Sequence, residues 1–303
     1  EDTRRSGDDV EVLEASSLGK HVRAQASDVK AGSILLSVGD CMRVGELGLL
    51  ASQNIDRVPV FRQPKVALLS TGDELRELGA ELEPGAIVNS NVYVLTQMLR
   101  ELGVVPMPLP AARDNLPEIE AALRKALGAD VVITMGGVSV GAYDLVQEAF
   151  ANVGIEPGFW KVRIKPGKPL AFAQLEGKPV VGLPGNPISA MVTFEVLLAP
   201  CLRKMLGDPA PHPQPFVARL RDGYRRRPGR VEIARGVATR EGDELVVALH
   251  DRQGSGSLPS FVGVNALVIL PADKAELRAG EQVDVIPWGQ GIRGRRSFFE
   301  RLD

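Results

Sequence analysis

Hydrophobic and polar positions between residues 57 and 207 alternate between two patterns. Short uninterrupted apolar runs, typical of buried strands, are followed by segments in which apolar residues recur at helical spacing. Asn91 and Asn115 precede the first two of these segments and are their predicted N-caps. The predicted strands are residues 66–69, 104–109, 131–134 and 180–182, and the predicted helices are residues 92–102, 116–127, 145–151 and 188–205. Such alternation implies right-handed crossovers, so we predict a three-layer α/β domain with a mostly parallel sheet over residues 57–207.

The pattern changes to a period of two after the proline-rich connector at residues 207–213. Alternating runs of this kind predict short half-buried strands. The five runs are residues 216–220, 231–235, 244–247, 266–270 and 283–286. We therefore predict a small all-β domain over residues 213–290, followed by an arginine-rich tail at residues 291–303.

The first 56 residues carry a weaker pattern. Helical spacing is present over residues 44–52, and residues 21–23 and 34–36 are short strand candidates. Residues 1–14 contain six acidic residues against two arginines and show no start signal for a helix or a strand. Such an opening is typical of the middle of a protein, so we expect an N-terminal portion to be missing.

Composition excludes several classes of protein. Thirty-six basic against 38 acidic residues give a net charge of −2, and 44% of the residues are hydrophobic, which argues against wholesale disorder and against a dedicated nucleic-acid binder. Cys41 and Cys201 lie far apart in a chain with three histidines, so neither a disulfide framework nor a zinc site is predicted. No charge-free apolar stretch approaches the ~18 residues that span a membrane. We expect a cytoplasmic protein that binds neither nucleic acid nor membrane.

Three loops follow predicted strands, at the edge of a parallel sheet where ligands bind. The first, STGDEL at residues 70–75, places Asp73 and Glu74 at a strand end, either as functional carboxylates or as partners of a helix dipole. The second, residues 134–144, contains Gly136, Gly137 and Ser139 and would let a phosphate approach the backbone. Asp144 ends this loop, and its carboxylate could hold a metal ion that the phosphate shares.

The third loop is basic. If residues 161–165 are extended, Lys161, Arg163 and Lys165 share one face, and Lys168 follows a Pro-Gly turn. Four such cations repel one another unless an anion lies among them, although a solvated basic edge strand is the alternative. Carboxylates opposite lysines across a glycine-rich loop favour phosphate or oxyanion transfer, and no Ser-His-Asp or Cys-His arrangement is supported.

Five motifs, taken in order, resemble the molybdopterin molybdenumtransferase family of the MoeA type, which includes the E domain of gephyrin. They are STGDEL at 70–75, NSN at 89–91, GGVSVGAYD at 136–144, KPGKP at 165–169 and LPGNPISA at 183–190. The resemblance implies a molybdopterin-binding α/β fold and an enzyme of molybdenum cofactor biosynthesis. It also implies Mg²⁺-dependent insertion of molybdate into adenylated molybdopterin, with release of AMP, by a homodimer.

The resemblance also assigns roles by position. Glu74, Asp114 and Asp144 correspond to catalytic acids, of which Glu74 and Asp144 would hold Mg²⁺. The residues that would bind molybdate, pterin or phosphate are Gly136, Gly137, Ser139, Lys161, Lys165, Lys168, Pro184, Pro187, Ser189, Arg235 and Ser255.

One departure from the family pattern concerns the N-terminus. An Asp-Gly-Tyr-Ala type segment and the domain that follows it are not found, so residues 1–17 are interpreted as the end of a truncated N-terminal β domain and residues 18–56 as the remnant of a discontinuous linker domain. We therefore expect this chain to bind molybdate or molybdopterin better than it catalyses. A molybdopterin adenylyltransferase and a non-catalytic molybdopterin-binding scaffold remain alternatives.

Overall fold

The computed structural model describes residues 3–13, 15, 17–136 and 145–289. The chain divides into two compact units, Glu1–Val58 and Pro59–Asp303. The predicted site residues Gly137, Ser139 and Asp144 and the predicted tail lie outside the described residues.

The first unit contains a hairpin of β1 (Thr3–Ser6) and β2 (Asp9–Val12), and a helix α1 (Val44–Ser52). The helix confirms the prediction from its spacing, whereas the hairpin was missed because both of its strands are exposed and carry no inside–outside alternation. The predicted strands at 21–23 and 34–36 are wrong: in the described part of this unit neither segment pairs with another strand.

A six-stranded sheet forms the centre of the α/β region. Its order is β6-β3-β7-β11-β10-β8, in which the pairings from β6 to β11 are parallel and the last two are antiparallel. The strands are β3 (Lys65–Ser70), β6 (Val105–Pro108), β7 (Val131–Met135), β8 (Glu156–Trp160), β10 (Ala171–Leu175) and β11 (Lys178–Leu183), and a separate pair, β4 (Leu75–Arg76) and β5 (Ile87–Val88), follows β3. The antiparallel edge was not predicted. It is built by a hairpin whose turn residues Glu176 and Gly177 both have positive φ, the geometry that joins twisted antiparallel strands most tightly.

Helices cover both faces of this sheet, so the three-layer prediction is confirmed. Val66 and Leu68 of β3 face one core cluster with α2, α5 and α6, whereas Ala67 and Leu69 face the other with α3 and α4. The helices are α2 (Ser90–Glu101), α3 (Leu116–Ala126), α4 (Leu145–Asn152), α5 (Pro187–Thr193) and α6 (Ala199–Met205).

The N-termini of α2 and α3 and a π turn before α6 distinguish the helices near the site. Asn115 caps α3 as predicted, with its side chain accepting a hydrogen bond from the Glu118 amide at 3.0 Å. Asn91 is not a cap: α2 begins one residue earlier, after Asn89, whose side-chain amide donates to Ser70 Oγ at 2.9 Å. The helix predicted from 188 to 205 is continuous but contains a π turn at Phe194–Leu198, immediately before α6 and its Pro200, which has no amide hydrogen to donate within the helix.

The second sheet is barrel-like. Its order is β15-β12-β18-β16-β14-β9, and an additional β14–β15 pairing closes the first five strands. These strands are β9 (Ile164–Lys165), β12 (Phe216–Leu220), β14 (Val231–Glu241), β15 (Glu244–Leu249), β16 (Ala266–Leu270) and β18 (Gln282–Pro287), with β13 (Tyr224–Arg225) and β17 (Glu276–Leu277) as a separate pair. All five predicted β strands are present. β9 comes from the α/β region, so a segment of one domain is hydrogen-bonded into the sheet of the other.

Candidate active site

A cleft of about 990 Å³ opens at the carboxyl ends of β3, β7 and β11 and is closed on its other side by a loop of the β domain. This is the edge of the parallel sheet where the sequence predicted ligand binding. Eight of the predicted site residues line it: Glu74, Gly136, Lys165, Lys168, Pro184, Pro187, Ser189 and Ser255. Three other described candidates, Asp114, Lys161 and Arg235, are not among its lining residues.

The floor of the cleft needs a glycine at 136. Gly136 has φ +89°, and a Cβ atom there would lie 2.8 Å from the carbonyl oxygen of Thr71. The Thr71 amide in turn donates to the carbonyl of Met135 at 3.1 Å, so the ends of β3 and β7 are held against each other. A larger residue would separate these strand ends, since the atom in the way is backbone. Within the described residues, the buried Oγ1 of Thr71 and Oδ1 of Asn91, both on the cleft wall, have no hydrogen-bond partner.

Carboxylates gather at one end of the cleft. Glu74 lines the wall, and Asp73 accepts a hydrogen bond from the backbone amide of Asp114 at 3.1 Å. Partial desolvation raises the pKa of the Asp114 carboxyl, and the negative charges of Asp73 and Glu74 add to this effect. In the described part of the chain no three acidic, histidine or cysteine side chains gather closely enough to hold a metal ion. Asp73, Glu74 and Asp114 therefore form one acidic region, of which Glu74 lines the cleft.

Two lysines form the basic side of the wall, at the end of β9 and in the loop that follows it. Lys165 and Lys168 line the cleft, whereas Lys161 has φ +76°, which interrupts the extended chain. The prediction that residues 161–165 form one extended basic face is therefore wrong, because the strand β9 contains only the last two of them. Gly167 between the two cleft lysines has φ +108°, and a Cβ atom there would lie 2.2 Å from Thr193 Cγ2 on α5, so the loop packs tightly on that helix.

The protein itself supplies one of the anions that this basic side requires. The ammonium of Lys165 lies 2.9 Å from a carboxylate oxygen of Glu232, whose side chain is 2% exposed. Glu232 was not among the predicted site residues, because the alternation Val231-Glu232-Ile233 predicts a charged residue on the exposed face of a half-buried strand.

Hydrogen bonds tie three segments of the wall together at the Pro184–Pro187 loop. Asn91 Nδ2 donates to the carbonyl of Gly185 at 2.7 Å, and Asn186 Nδ2 donates to Ser255 Oγ at 3.1 Å. The amide of Ile188 donates to the carbonyl of Ser255 at 3.2 Å. The loop therefore connects the start of α2 to the β domain.

Arg235 lies behind the wall and supports it. Its guanidinium is fully buried, and Nη2 donates to the carbonyls of Arg252 and Gly254 at 2.7 and 3.2 Å. The guanidinium carbon lies 6.0 Å from the ring centre of Phe261, and desolvation lowers the pKa of Arg235. Gln253 and Arg230 also line the cleft and were not among the predicted site residues.

Both parts of the second unit match known families. Residues 67–204 match the family described as "Probable molybdopterin binding domain", and residues 217–288 match "MoeA C-terminal region (domain IV)". Two crystal structures of the MoeA molybdopterin biosynthesis protein from Pyrococcus horikoshii align with TM-scores of 0.77 and 0.73, at 31% and 27% identity. They cover 94% and 95% of this chain and 70% of each solved chain. The fold is that of an enzyme of molybdenum cofactor biosynthesis.

Curated relatives make the assignment narrower. The molybdopterin molybdenumtransferase of Haemophilus influenzae is 38% identical over 272 residues, which cover 89% of this chain and 67% of the relative. Molybdopterin molybdenumtransferase 2 of Mycobacterium tuberculosis is 34% identical over 284 residues, which cover 92% of this chain and 70% of the relative. The chain belongs to the molybdopterin molybdenumtransferase family.

Proposed function

We propose that the cleft inserts molybdenum from molybdate into adenylated molybdopterin, with a requirement for Mg²⁺ and with release of AMP. The observation that carries this proposal is the placement of Glu74 and of Lys165 and Lys168 on the wall of a single cleft whose floor includes Gly136. Molybdate is a dianion that lysine ammonium groups and hydroxyls can bind, while carboxylate oxygens are the ligands that Mg²⁺ prefers. One cleft thus offers donors for both inorganic species.

The lysine side would hold molybdate. Lys165 and Lys168 supply positive charge, and the hydroxyls of Ser189 and Ser255 supply further donors from the two domains. Ser189 is 4% exposed and Ser255 is fixed by Asn186, so these donors are oriented before an anion arrives. Lys161 lies off the wall and would act on the anion only from a distance.

The acidic side would hold Mg²⁺ and the adenylated end of the pterin. Glu74 and Asp144 are the proposed metal ligands, and Asp114 would support them through the hydrogen bond from its amide to Asp73. Carboxylates are the donors that suit Mg²⁺, and burial together with the negative charges of Asp73 and Glu74 raises the pKa of Asp114. A divalent cation would relieve that repulsion. When bound, Mg²⁺ neutralises phosphate charge while the pyrophosphate bond is cleaved.

The remaining proposed contacts shape the pterin site. Pro184 and Pro187 form a rigid rim, and the backbone at Gly136, Gly137 and Ser139 would approach the phosphates. Arg235 would act through the loop it supports, since its donors reach the carbonyls of Arg252 and Gly254.

An assay of AMP release tests this function against its two alternatives. We expect AMP to appear from adenylated molybdopterin only when molybdate and Mg²⁺ are both present. Consumption of ATP with molybdopterin as acceptor, without molybdate, would instead indicate an adenylyltransferase. Tight molybdopterin binding with no AMP released would favour a scaffold. The family names of the relatives favour transfer of the metal.

Two further expectations concern the setting of the protein. We propose that it works as a homodimer in the cytoplasm, as the resemblance to the family implies. No helix within the described ranges is long and apolar enough to cross a membrane. Sedimentation equilibrium of the purified protein tests the dimer directly, and a mass equal to the 32.5 kDa of one chain at all concentrations would contradict it.

A further inference from the structure

A buried carboxylate stands directly behind the lysine side of the cleft. In the parallel pairing of β9 with β14, Glu232 is the register partner of Lys165. One oxygen of Glu232 lies 2.9 Å from the Lys165 ammonium and accepts a hydrogen bond from the Tyr224 hydroxyl at 3.1 Å. The other oxygen lies 3.5 Å from Nη1 of Arg226. Lys165 belongs to the α/β region, whereas the other three belong to the β domain.

Glu232 has two partners on one oxygen, whereas its other oxygen lies beside Arg226 without a hydrogen bond among the described residues. A carboxylate that is 2% exposed is costly unless it is paired. The Arg226 side chain is 1% exposed and is itself fixed, since its Nη2 donates to the carbonyls of Arg230 at 2.8 Å and Pro271 at 2.9 Å. Burial and the nearby carboxylate raise the pKa of Tyr224 to about 12, so its hydroxyl remains a donor at neutral pH.

The two lysines of the cleft differ in this respect. Lys165 is held from behind by Glu232. Lys168 is exposed and has no carboxylate partner within the described part of the chain. An ammonium group has three N–H donors, so Lys165 can pair with Glu232 and still donate to an oxyanion in the cleft. The ammonium of Lys165 is therefore oriented before an anion binds, whereas the exposed side chain of Lys168 would be oriented by the bound anion.

We propose that Glu232 is a positioning residue for molybdate binding, which acts by fixing the ammonium of Lys165 at the cleft wall. The inference rests on the proposed function, in which Lys165 contacts molybdate. It goes beyond that function by naming a buried β-domain residue that sets the affinity without touching the anion. Tyr224 and Arg226 serve the same end by holding Glu232 in place.

A double-mutant cycle with both lysines separates positioning from a general structural role. Molybdate binding to the 303-residue chain is measured by titration calorimetry for the wild type and for Glu232→Gln, Lys165→Ala, Lys168→Ala and the two double variants. Glu232→Gln keeps the shape and removes the charge, and we expect molybdate to bind about tenfold more weakly, the scale of one charge-assisted hydrogen bond. In the Lys165→Ala background Glu232→Gln should weaken molybdate binding by less than about twofold. In the Lys168→Ala background it should still weaken binding about tenfold. Equal effects in both backgrounds would overturn the proposal.

Tyr224→Phe keeps the test decisive if Glu232→Gln does not fold. It removes one hydroxyl, and we expect a two- to threefold weaker molybdate affinity that vanishes when Lys165 is alanine. An effect of Tyr224→Phe that survives in the Lys165→Ala background would contradict the proposal. A different result would contradict the proposed function itself: the wild type binds molybdate no more tightly than sulfate, and Lys165→Ala leaves the molybdate affinity unchanged. If Lys165→Ala weakens binding and neither Glu232→Gln nor Tyr224→Phe does, only the positioning role of Glu232 is overturned.

Discussion

The side-chain amide of Asn186 donates a 3.1 Å hydrogen bond to the hydroxyl of Ser255. Asn186 precedes α5 in the α/β region, and Ser255 lies in a loop of the β domain. The amide of Ile188 also donates to the carbonyl of Ser255. Two hydrogen bonds therefore join the start of α5 to the loop of the β domain at the cleft wall. The contact fixes the direction of a hydroxyl that the proposed molybdate site uses.

Replacing Asn186 should therefore harm the site more than the fold. In Asn186→Ala we expect the KM for the pterin substrate to rise about three- to tenfold, while the free energy of unfolding falls by no more than about 1 kcal/mol, the worth of one exposed hydrogen bond. Steady-state kinetics and urea unfolding measure the two quantities. Asn152→Ala is the matched control, since the Asn152 side chain donates to Glu120 and is not among the residues that line the cleft. Its KM should equal that of the wild type. Equal KM values in the two variants would contradict the assignment.

Gly136→Ala should separate steric contact from backbone strain. Gly136 and Gly85 both have φ +89°, but only at Gly136 would a Cβ atom meet a neighbour, the Thr71 carbonyl at 2.8 Å. We expect Gly85→Ala to lower the free energy of unfolding by about 1 kcal/mol, the cost of the left-handed conformation for alanine. Gly136→Ala should lower the free energy of unfolding by about 1–3 kcal/mol more than Gly85→Ala, because the backbone at Thr71 has to move. The activity of this variant should also fall. Equal losses in urea unfolding would show that the strand ends are not in tight contact.

Arg235→Met should affect activity more than stability. The variant keeps most of the volume and removes a buried charge whose Nε and Nη1 have no partner among the described residues. We expect the free energy of unfolding to stay within about 1 kcal/mol of the wild type, because the lost bonds are offset by the lost desolvation cost. The loop at residues 252–254 should exchange its amide hydrogens faster, and activity should fall about tenfold. Unchanged exchange in that loop would argue against support by Arg235.

The ion pair of Arg62 and Asp130 should make stability depend on acid pH. Two hydrogen bonds from Arg62, at 2.6 and 2.7 Å, and one from the Lys65 amide lower the pKa of Asp130 from 3.8 to about 2. A lowered folded-state pKa stabilises the protein above the unfolded value, and this contribution is lost as pH falls from about 4 towards 2. Because Arg62 is 73% exposed, solvent screens this ion pair. We expect Asp130→Asn to lower the free energy of unfolding by roughly 1 kcal/mol at pH 7.

Urea unfolding at pH 7 and pH 3 measures this contribution. The difference in free energy of unfolding between Asp130→Asn and the wild type should be smaller at pH 3 than at pH 7. Asp284 is exposed, and the free energy of unfolding of Asp284→Asn should differ little from that of the wild type at both pH values. A difference for Asp130→Asn that is the same at both values would exclude the proposed linkage.

Much of the fold was predictable from the sequence because burial imposes a simple pattern. The parallel strands around Val66 and Val131 are apolar on both faces, and α3 carries its cap and proline at the expected places. The antiparallel edge and the β1–β2 hairpin were missed, since β8 contains proline and glycine and the hairpin is exposed. The limits proposed for the domains remain predictions.

The candidate site was predictable where it follows strand ends. Glu74, Gly136 and Pro184 line one cleft because β3, β7 and β11 are parallel and end at one edge of the sheet. The long-range contacts were not predictable, because pairing of β9 with β14 brings together residues far apart in the sequence. The partner of Lys165, Glu232, therefore could not be identified from either segment alone.

Molybdate-dependent cofactor formation by Lys165→Ala and Glu74→Ala tests the central claim most directly. Lys125→Ala and Glu148→Ala change the same residue types on exposed helix faces and serve as controls. Our account predicts that both cleft variants lose nearly all cofactor formation while all four proteins remain folded and the two controls keep the wild-type rate. An unchanged rate in both cleft variants would contradict the assignment of this cleft as the site of molybdenum insertion.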